Sequence, residues 1–400
     1  MPALQTTATD SVYQAPRQLN GWDFITCEYP PKIGGLSDYT RQLAEALSRC
    51  GSRVEVWAPG IESSEKIGQP FMVHRTFNKF RPTDLTRMDR LWRSAKTRRN
   101  IFLQWVPNGY GYDSLNLFFC FWILLQTIRG HSLRVMFHEF GYSLSEPKLH
   151  LKIAGLIHRG MAALLLNCST ASFASCEPVA NHLKRYNFAG REIQVLPVPS
   201  NVPQCQNQET LKSTRSEFVL QGEVLIGHFG LFSAKIDALL KPSLEIVLRD
   251  NLRAKVLFIG EGSDRYYSSL ALKNPDLVPR LFKTGSCNPL QIADFISACD
   301  CLFQPYQDGV STKRGSAMAA LVNGKLLVCT ESDETEETWK HTSAVHLIRS
   351  RNPDLIAGEV AALIRSPERL AEGCAEAHAF YQKNFSIDKT VSALTKCAPV

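Results

Sequence analysis

The chain has 400 residues, of which 44% are hydrophobic and 21% charged, a balance that supports substantial buried cores and excludes a disordered or fibrous polypeptide. At this length two domains are expected rather than one. Its 45 Lys and Arg outnumber 38 Asp and Glu, a net charge of +7, which suits phosphate-bearing ligands or an anionic membrane surface and does not require nucleic acid.

Residues 1–20 are polar, lack the apolar stretch of a signal peptide, and are expected to form a disordered leader. Short apolar runs then alternate with amphipathic stretches, the pattern of βαβ units and a parallel sheet. Strands are expected at 23–27, 53–58, 101–106, 133–137, 171–175 and 193–198. Between the first two, Leu36, Tyr39, Leu43 and Leu47 recur on one helical face. The run LNLFFCFWILLQTI at 115–128 is shorter than the ~20 apolar residues of a membrane span and reads as a buried helix, with a membrane-touching helix as the alternative. Near Pro197 the rhythm breaks into a segment rich in Pro, Gln, Asn and Ser, read as an interdomain linker. Further strands are expected at 224–229, 255–259, 281–284, 301–305, 326–330 and 345–348, followed by helices from 353. The fold class is therefore α/β, two doubly wound Rossmann-like domains facing each other across a cleft. Residues 21–200 form the first and 201–375 the second, and a terminal helix at 376–400 packs back towards the first.

Such sheets bind ligands beyond the C-terminal ends of their strands, and four segments fall there. In CEYPPKIGGLSDYTRQL, at 27–43, Gly34 and Gly35 open a helix whose free N–H groups suit a diphosphate or charged acceptor; the plain alternative is a turn. The segment is not GxGxxG, so a nicotinamide cofactor is not indicated. His138, in FHEFGY, ends a strand on the cleft side, where a histidine serves either structure or chemistry. Lys235, in IGHFGLFSAKIDALL, stands at a helix start, where a cation opposes the helix dipole unless an anion sits nearby. In PYQDGVSTKRGSAMAALVNGK, at 305–325, a loop of small residues offers backbone N–H groups at Gly309, Val310 and Ser311. Asp308 can accept from sugar hydroxyls, while Lys313 and Arg314 can pair with phosphate or form a solvated basic edge.

In this order and at these separations, the four segments resemble glycosyltransferase family four, retaining enzymes built from two Rossmann-like domains. LPVPSN at 196–201, FIGEG at 258–262 and ACDCLFQPY at 298–306 extend the resemblance over nearly the whole chain. It implies a nucleotide diphosphate sugar as co-substrate, with no further cofactor. Gly34 and Gly35 would face the reaction centre and His138 would lie near the transferred sugar. Lys235 would stabilise the diphosphate, and 308–311 would bind donor sugar and diphosphate. The family's two glutamates seven residues apart are here Asp308 and Ser316, which leaves only a hydroxyl for the ribose. The arginine that often precedes the lysine is absent, and Arg314 is expected to supply its charge.

The resemblance implies front-face transfer with retention, driven mainly by electrostatics, to an acceptor the sequence does not identify. No Asp-rich motif marks a metal site, so turnover without metal is expected. The 12 cysteines, from Cys27 to Cys397, form no CxxC pair and read as reduced thiols of a cytoplasmic protein. Residues 74–99 carry a basic run in which Met88, Leu91, Trp92 and Ala95 form an apolar stripe. The stripe either packs on the sheet or lies on anionic lipid as a peripheral membrane contact. No nucleic-acid motif accompanies the charge. The acidic run 331–337 is expected to begin a helix near the cleft with no catalytic role. Rival readings are a sugar-nucleotide epimerase or hydrolase on the same scaffold, and a non-catalytic sugar-nucleotide-binding subunit.

Overall fold

The computed structural model describes residues 21–32, 34–60, 63–65, 70–94 and 97–396; the expected leader at 1–20 lies outside them. The first sheet contains β1 (Trp22–Ile25), β2 (Val54–Pro59), β3 (Ser63–Glu65), β4 (Met72–Phe77), β5 (Asn100–Trp105), β6 (Ser132–Phe137), β7 (Ala171–Ala174) and β8 (Ile193–Val195). Its order is β3-β4-β2-β1-β5-β6-β7-β8, parallel except where the short edge strand β3 meets β4. The second sheet contains β9 (Val224–Phe229), β10 (Ala254–Ile259), β11 (Leu281–Lys283), β12 (Cys301–Gln304), β13 (Leu326–Thr330) and β14 (Val345–Ile348). Its order is β11-β10-β9-β12-β13-β14, parallel throughout. In each sheet the order reverses beside the first strand, between β1 and β5 and between β9 and β12. Crossovers run in opposite directions there, opening a crevice at the strand C-termini. The architecture is the expected pair of doubly wound Rossmann-like domains facing each other across a cleft.

Central strands such as β5 (NIFLQW) and β13 (LLVCT) are buried along their whole length, as parallel strands covered on both faces must be. That is why they were legible as apolar runs. β4 was not, because MVHRTF places His74, Arg75 and Thr76 in mid-strand. Pairing with β2 holds it in the sheet.

Several expectations are corrected. The basic run 74–99 begins in β4 and continues into the helix Pro82–Ser94, whose Leu85, Met88 and Trp92 are buried in the core while Leu91 faces outward; Ala95 lies outside the described residues. Its last arginine, Arg99, is itself buried. It pairs with Asp23 and Glu55 and lies 4.9 Å over the Trp92 ring. The run 115–128 forms the helix Leu117–Ile128, but only one face is buried. Phe119, Cys120, Trp122 and Ile123 point inward, whereas Phe118, Phe121 and Ile128 are exposed. The linker contains the helix Gln208–Ser216, tied to the second domain by Arg215, which donates to the Ala298 carbonyl and pairs with Asp300 at 3.0 Å. The acidic run yields a single 3-10 turn, Glu337–Trp339.

Glu336, just before that turn, is buried. Its carboxylate accepts from the Thr312 N–H and hydroxyl, both at 2.6 Å, and from Trp339 Nε1 at 2.8 Å. It also accepts at 2.9 Å from the Glu177 N–H, the first residue of the first-domain helix Glu177–Lys184. The single Thr312 hydroxyl proton lies between the Glu336 carboxylate and the Ser175 carbonyl, 2.8 Å away, and the Thr312 carbonyl accepts from the Val198 N–H at 3.1 Å. The helix Ile387–Lys396 inserts Val391 and Leu394 among Tyr39, Leu43 and Leu47 of the first domain. Removing the carboxylate leaves several buried donors unsatisfied. Glu336→Ala should therefore destabilise the protein by about 3 kcal/mol, whereas Glu337→Ala, on an exposed neighbour, should shift stability far less. Thermal unfolding of the two variants side by side checks this.

Candidate functional site

Two cavities occupy the cleft and meet at Gly35, Asn201, Lys313 and Gly315. The first, of 450 Å³, is lined mainly by the first domain, including Cys27, Glu28, Lys32, Tyr39, Asn108, His138 and Glu139. The second, of 370 Å³, is lined mainly by the second domain, including His228, Lys235, Tyr306, Asp308, Arg314 and Ser316. Three helices start at their walls: Gly35–Arg49, Ala234–Asp250 and Gly315–Val322. The N–H groups of a first helical turn lack helical acceptors and carry the positive end of the dipole. Anions are the matching guests.

Gly35 reaches both cavities, and a Cβ there would meet nothing within 4 Å, so the cleft is open above it. Gly34 precedes the helix at a place where a Cβ would lie 2.6 Å from Glu28 Oε1, and it does not line either cavity. His138 immediately follows β6 and lines the first cavity. Its Nε2 is 2.7 Å from Gln104 Oε1; an amide oxygen only accepts, so that nitrogen carries the proton. Burial, aided by the Lys313 charge, pushes the imidazole down from 6.5 to about 3. It is neutral at physiological pH.

Lys235 is exposed at the second cavity's wall, with no carboxylate paired to it among the described residues. Arg314 pairs with Asp308 at 3.1 Å and lies 4.8 Å over the Tyr306 ring. The Ser316 hydroxyl is 2.8 Å from the Tyr306 hydroxyl. Lys235, Asp308, Arg314 and Ser316 thus share one cavity, and His138 with Gly35 line the other. The N–H groups of Gly309 and Val310 turn away from it, donating to the Tyr306 carbonyl and the Thr330 carbonyl, each at 3.2 Å. Gly309 has φ +78°, and a Cβ there would lie 2.6 Å from Ser332 Oγ, so glycine is required by the turn. Ser311 is buried and accepts from the Arg314 N–H at 3.0 Å. This loop shapes the wall, and the amides at the cavity are those of Gly315 and Ser316.

Lys313, expected beside Arg314 as a phosphate partner, stands where the cavities join. Sequence reasoning missed two residues. Asn201 donates to Asp38 Oδ2 at 3.0 Å across the cleft. His228 donates from Nδ1 to the Phe303 carbonyl at 2.8 Å, which leaves Nε2 buried without a hydrogen-bond partner. Burial pushes its imidazole down to about 4; its place in an apolar strand hid it. Among the described residues no group of three or more His, Cys, Asp or Glu is placed to hold a metal ion.

No family model matches the chain, and no curated protein matches it in sequence. Solved structures do. Sucrose-phosphate synthase from Thermosynechococcus elongatus is 12% identical with a TM-score of 0.70, covering 94% of this chain and 98% of that one. A glycosyltransferase from Rickettsia africae is 12% identical with a TM-score of 0.70, covering 95% and 98%. HepE of Anabaena, in complex with UDP and glucose, is 13% identical with a TM-score of 0.66, covering 94% and 100%. The chain has the two-domain fold of glycosyltransferases. At these identities the likeness concerns the fold, and the chemistry rests on the cleft.

The depressed imidazoles have a consequence for pH. A base whose folded value lies below its unfolded one binds fewer protons when folded, so stability is complete above about 6.5 and falls as pH drops towards 3. Replacing His138 by Gln should flatten the decline in thermal midpoint over that window relative to the parent. An unchanged slope would show that His138 is not held neutral by the fold.

Proposed function

We propose that the protein is a retaining glycosyltransferase that moves a sugar from a nucleoside diphosphate to an acceptor in the first cavity. The observation that carries this reading is the convergence of Lys235, Lys313 and Arg314 with the amides of Gly315 and Ser316 on one 370 Å³ cavity. That arrangement suits a diphosphate, and HepE, whose structure contains UDP and glucose, supports a nucleotide sugar as its source. Asp308 accepts hydrogen bonds from the donor sugar, Ser316 stands at the ribose position, and the base lies towards 284–288.

In this reading the bond from the anomeric carbon to the diphosphate oxygen breaks, and the electron pair leaves with the diphosphate. Lys235, Arg314 and the two helix starts stabilise the charge that develops. The acceptor oxygen attacks the same face through an oxocarbenium-like transition state, and its proton passes to the departing phosphate. His138 stays neutral, positioned by Gln104, and contributes polarity beside the sugar rather than charge. Turnover needs no divalent cation, because fixed side chains and amides supply the positive charge. The eleven described cysteines are free thiols, which supports a cytoplasmic setting.

The test is a thermal-shift panel of nucleoside diphosphates and their sugars, followed by turnover in EDTA. One nucleotide should stabilise the protein, Lys235→Ala should abolish that shift and lower kcat about 100-fold, and EDTA should leave turnover intact. A flat response across the panel would remove the donor reading. A new nucleotide sugar formed without acceptor would instead establish an epimerase.

A further inference from the structure

The first domain carries an apolar surface that the cleft does not use. The helices Pro82–Ser94, Leu117–Ile128 and Leu149–Cys168 lie side by side, their inner faces sharing one core. On the middle helix Phe118, Phe121 and Ile128 are 64%, 57% and 73% exposed; on its neighbour Leu149, Ile153 and Leu156 are 71%, 49% and 58% exposed. Spacings of three, four and seven residues put each set on a single outward stripe. Adjacent helices of one layer present their stripes to the same side. Solvent-facing apolar residues scattered singly need no explanation, but a contiguous patch does. The helix Leu149–Cys168 is long and apolar enough to cross a membrane by length and composition, yet Met161, Leu165 and Leu166 are built into the core, so it can only lie along a surface.

Charge identifies that surface. Residues 74–159 contain 14 Lys and Arg against five Asp and Glu, while the whole chain is only +7. The remainder is therefore slightly acidic, and the basic excess of the molecule lies within this stretch of chain. Arg81, just before the helix Pro82–Ser94, and Arg90 and Arg93 on it are exposed beside one neighbour of the apolar stripe, and Lys148 and Lys152 are exposed beside the other. Asp89, an acid on this side, is already paired with Arg93 and Arg129. Aromatic and aliphatic side chains bordered by cations match the interface of an anionic bilayer, where the apolar groups enter the acyl boundary and the cations meet lipid phosphates.

We propose that this three-helix face docks the protein on an anionic lipid bilayer, lying flat and without spanning it. The contact is thereby moved from the buried stripe of 82–94 to the outward faces of its two neighbours. Short segments join the stripe to the cleft: Asn108 and Gly109, which line the first cavity, precede Tyr112 and Phe118 in the chain, and Glu139, which also lines it, precedes Leu144 and Leu149. On the glycosyltransferase reading, docking holds the acceptor cavity beside lipid-borne acceptors; the docking itself stands without that reading.

Co-sedimentation of the full chain with vesicles tests it, comparing phosphatidylcholine alone with phosphatidylcholine containing phosphatidylglycerol. Binding is expected to the anionic vesicles and at least ~10-fold weaker to the neutral ones, since each cation near the surface contributes roughly fivefold. The double replacement Phe118→Ser and Phe121→Ser, at exposed positions that leave the core untouched, should weaken binding to anionic vesicles by ~10-fold or more. Lys148→Glu with Lys152→Glu should reduce the preference for anionic lipid while the nucleotide-induced thermal shift is retained, which separates this proposal from the donor reading. No sedimentation with either vesicle, or equal binding by parent and both variants, overturns it. A concentration-dependent dimer in light scattering that the Phe118 and Phe121 replacements dissolve, without vesicle binding, assigns the face to self-association and likewise overturns it.

Discussion

The cleft depends on where one buried carboxylate finds its donors. Glu336 belongs to the second domain, yet it caps the first turn of a first-domain helix while gathering both polar groups of Thr312 and the Trp339 indole. An ionised group withdrawn from water is tolerated only when its oxygens are occupied, and here that requirement is met by both domains at once. The loop carrying Lys313, Arg314 and Gly315 follows directly from Thr312, so the placement of these residues over the first domain is set by the same contact. Separating the domains there would strand the carboxylate and the amide of Glu177 together.

Within the cleft, charge is divided by position. The two histidines, His138 and His228, sit on strand ends and are kept neutral by burial. The cations stand on loops and helix starts, where water reaches them. The strands thus supply fixed, uncharged geometry, and the connections supply electrostatics. This follows from doubly wound sheets, whose strands are too buried to hold bare charge and whose loops can adapt around a ligand.

Much of the fold was legible because buried parallel strands must be apolar on both faces. β13 announces itself by its apolar run, β9 and β14 by runs broken only briefly, at Gly227–His228 and His346, and the helix of Tyr39 and Leu43 by its spacing. β4 was illegible because its residues face mixed surroundings, and the helix at 117–128 was half-read because composition reports apolarity but not which side is covered. At the site, Lys235, Asp308, Arg314 and Ser316 could be gathered from motif order. The engagement of the Gly309 and Val310 amides could not, since it depends on carbonyls at Tyr306 and Thr330 that only the turn brings near. Glu336 was hidden in an acidic run whose other members are solvated: burial of one carboxylate among several is decided by tertiary packing, which leaves no local trace.

The pairing of Arg314 with Asp308 bears on how any anion would enter. The guanidinium is already paired with a carboxylate, so an arriving phosphate meets a site that carries its own counter-ion. Binding at this corner becomes an exchange of one anion for another, with Asp308 released towards whatever hydroxyls accompany the phosphate. An exchange of this kind changes the local charge less than simple neutralisation does. The response of affinity to ionic strength would then be shallower than the number of cations lining the cavity suggests. It also gives selectivity a basis, because a bare phosphate displaces the carboxylate without offering it a new partner, whereas a ligand that joins phosphate to hydroxyls satisfies both ends of the broken pair.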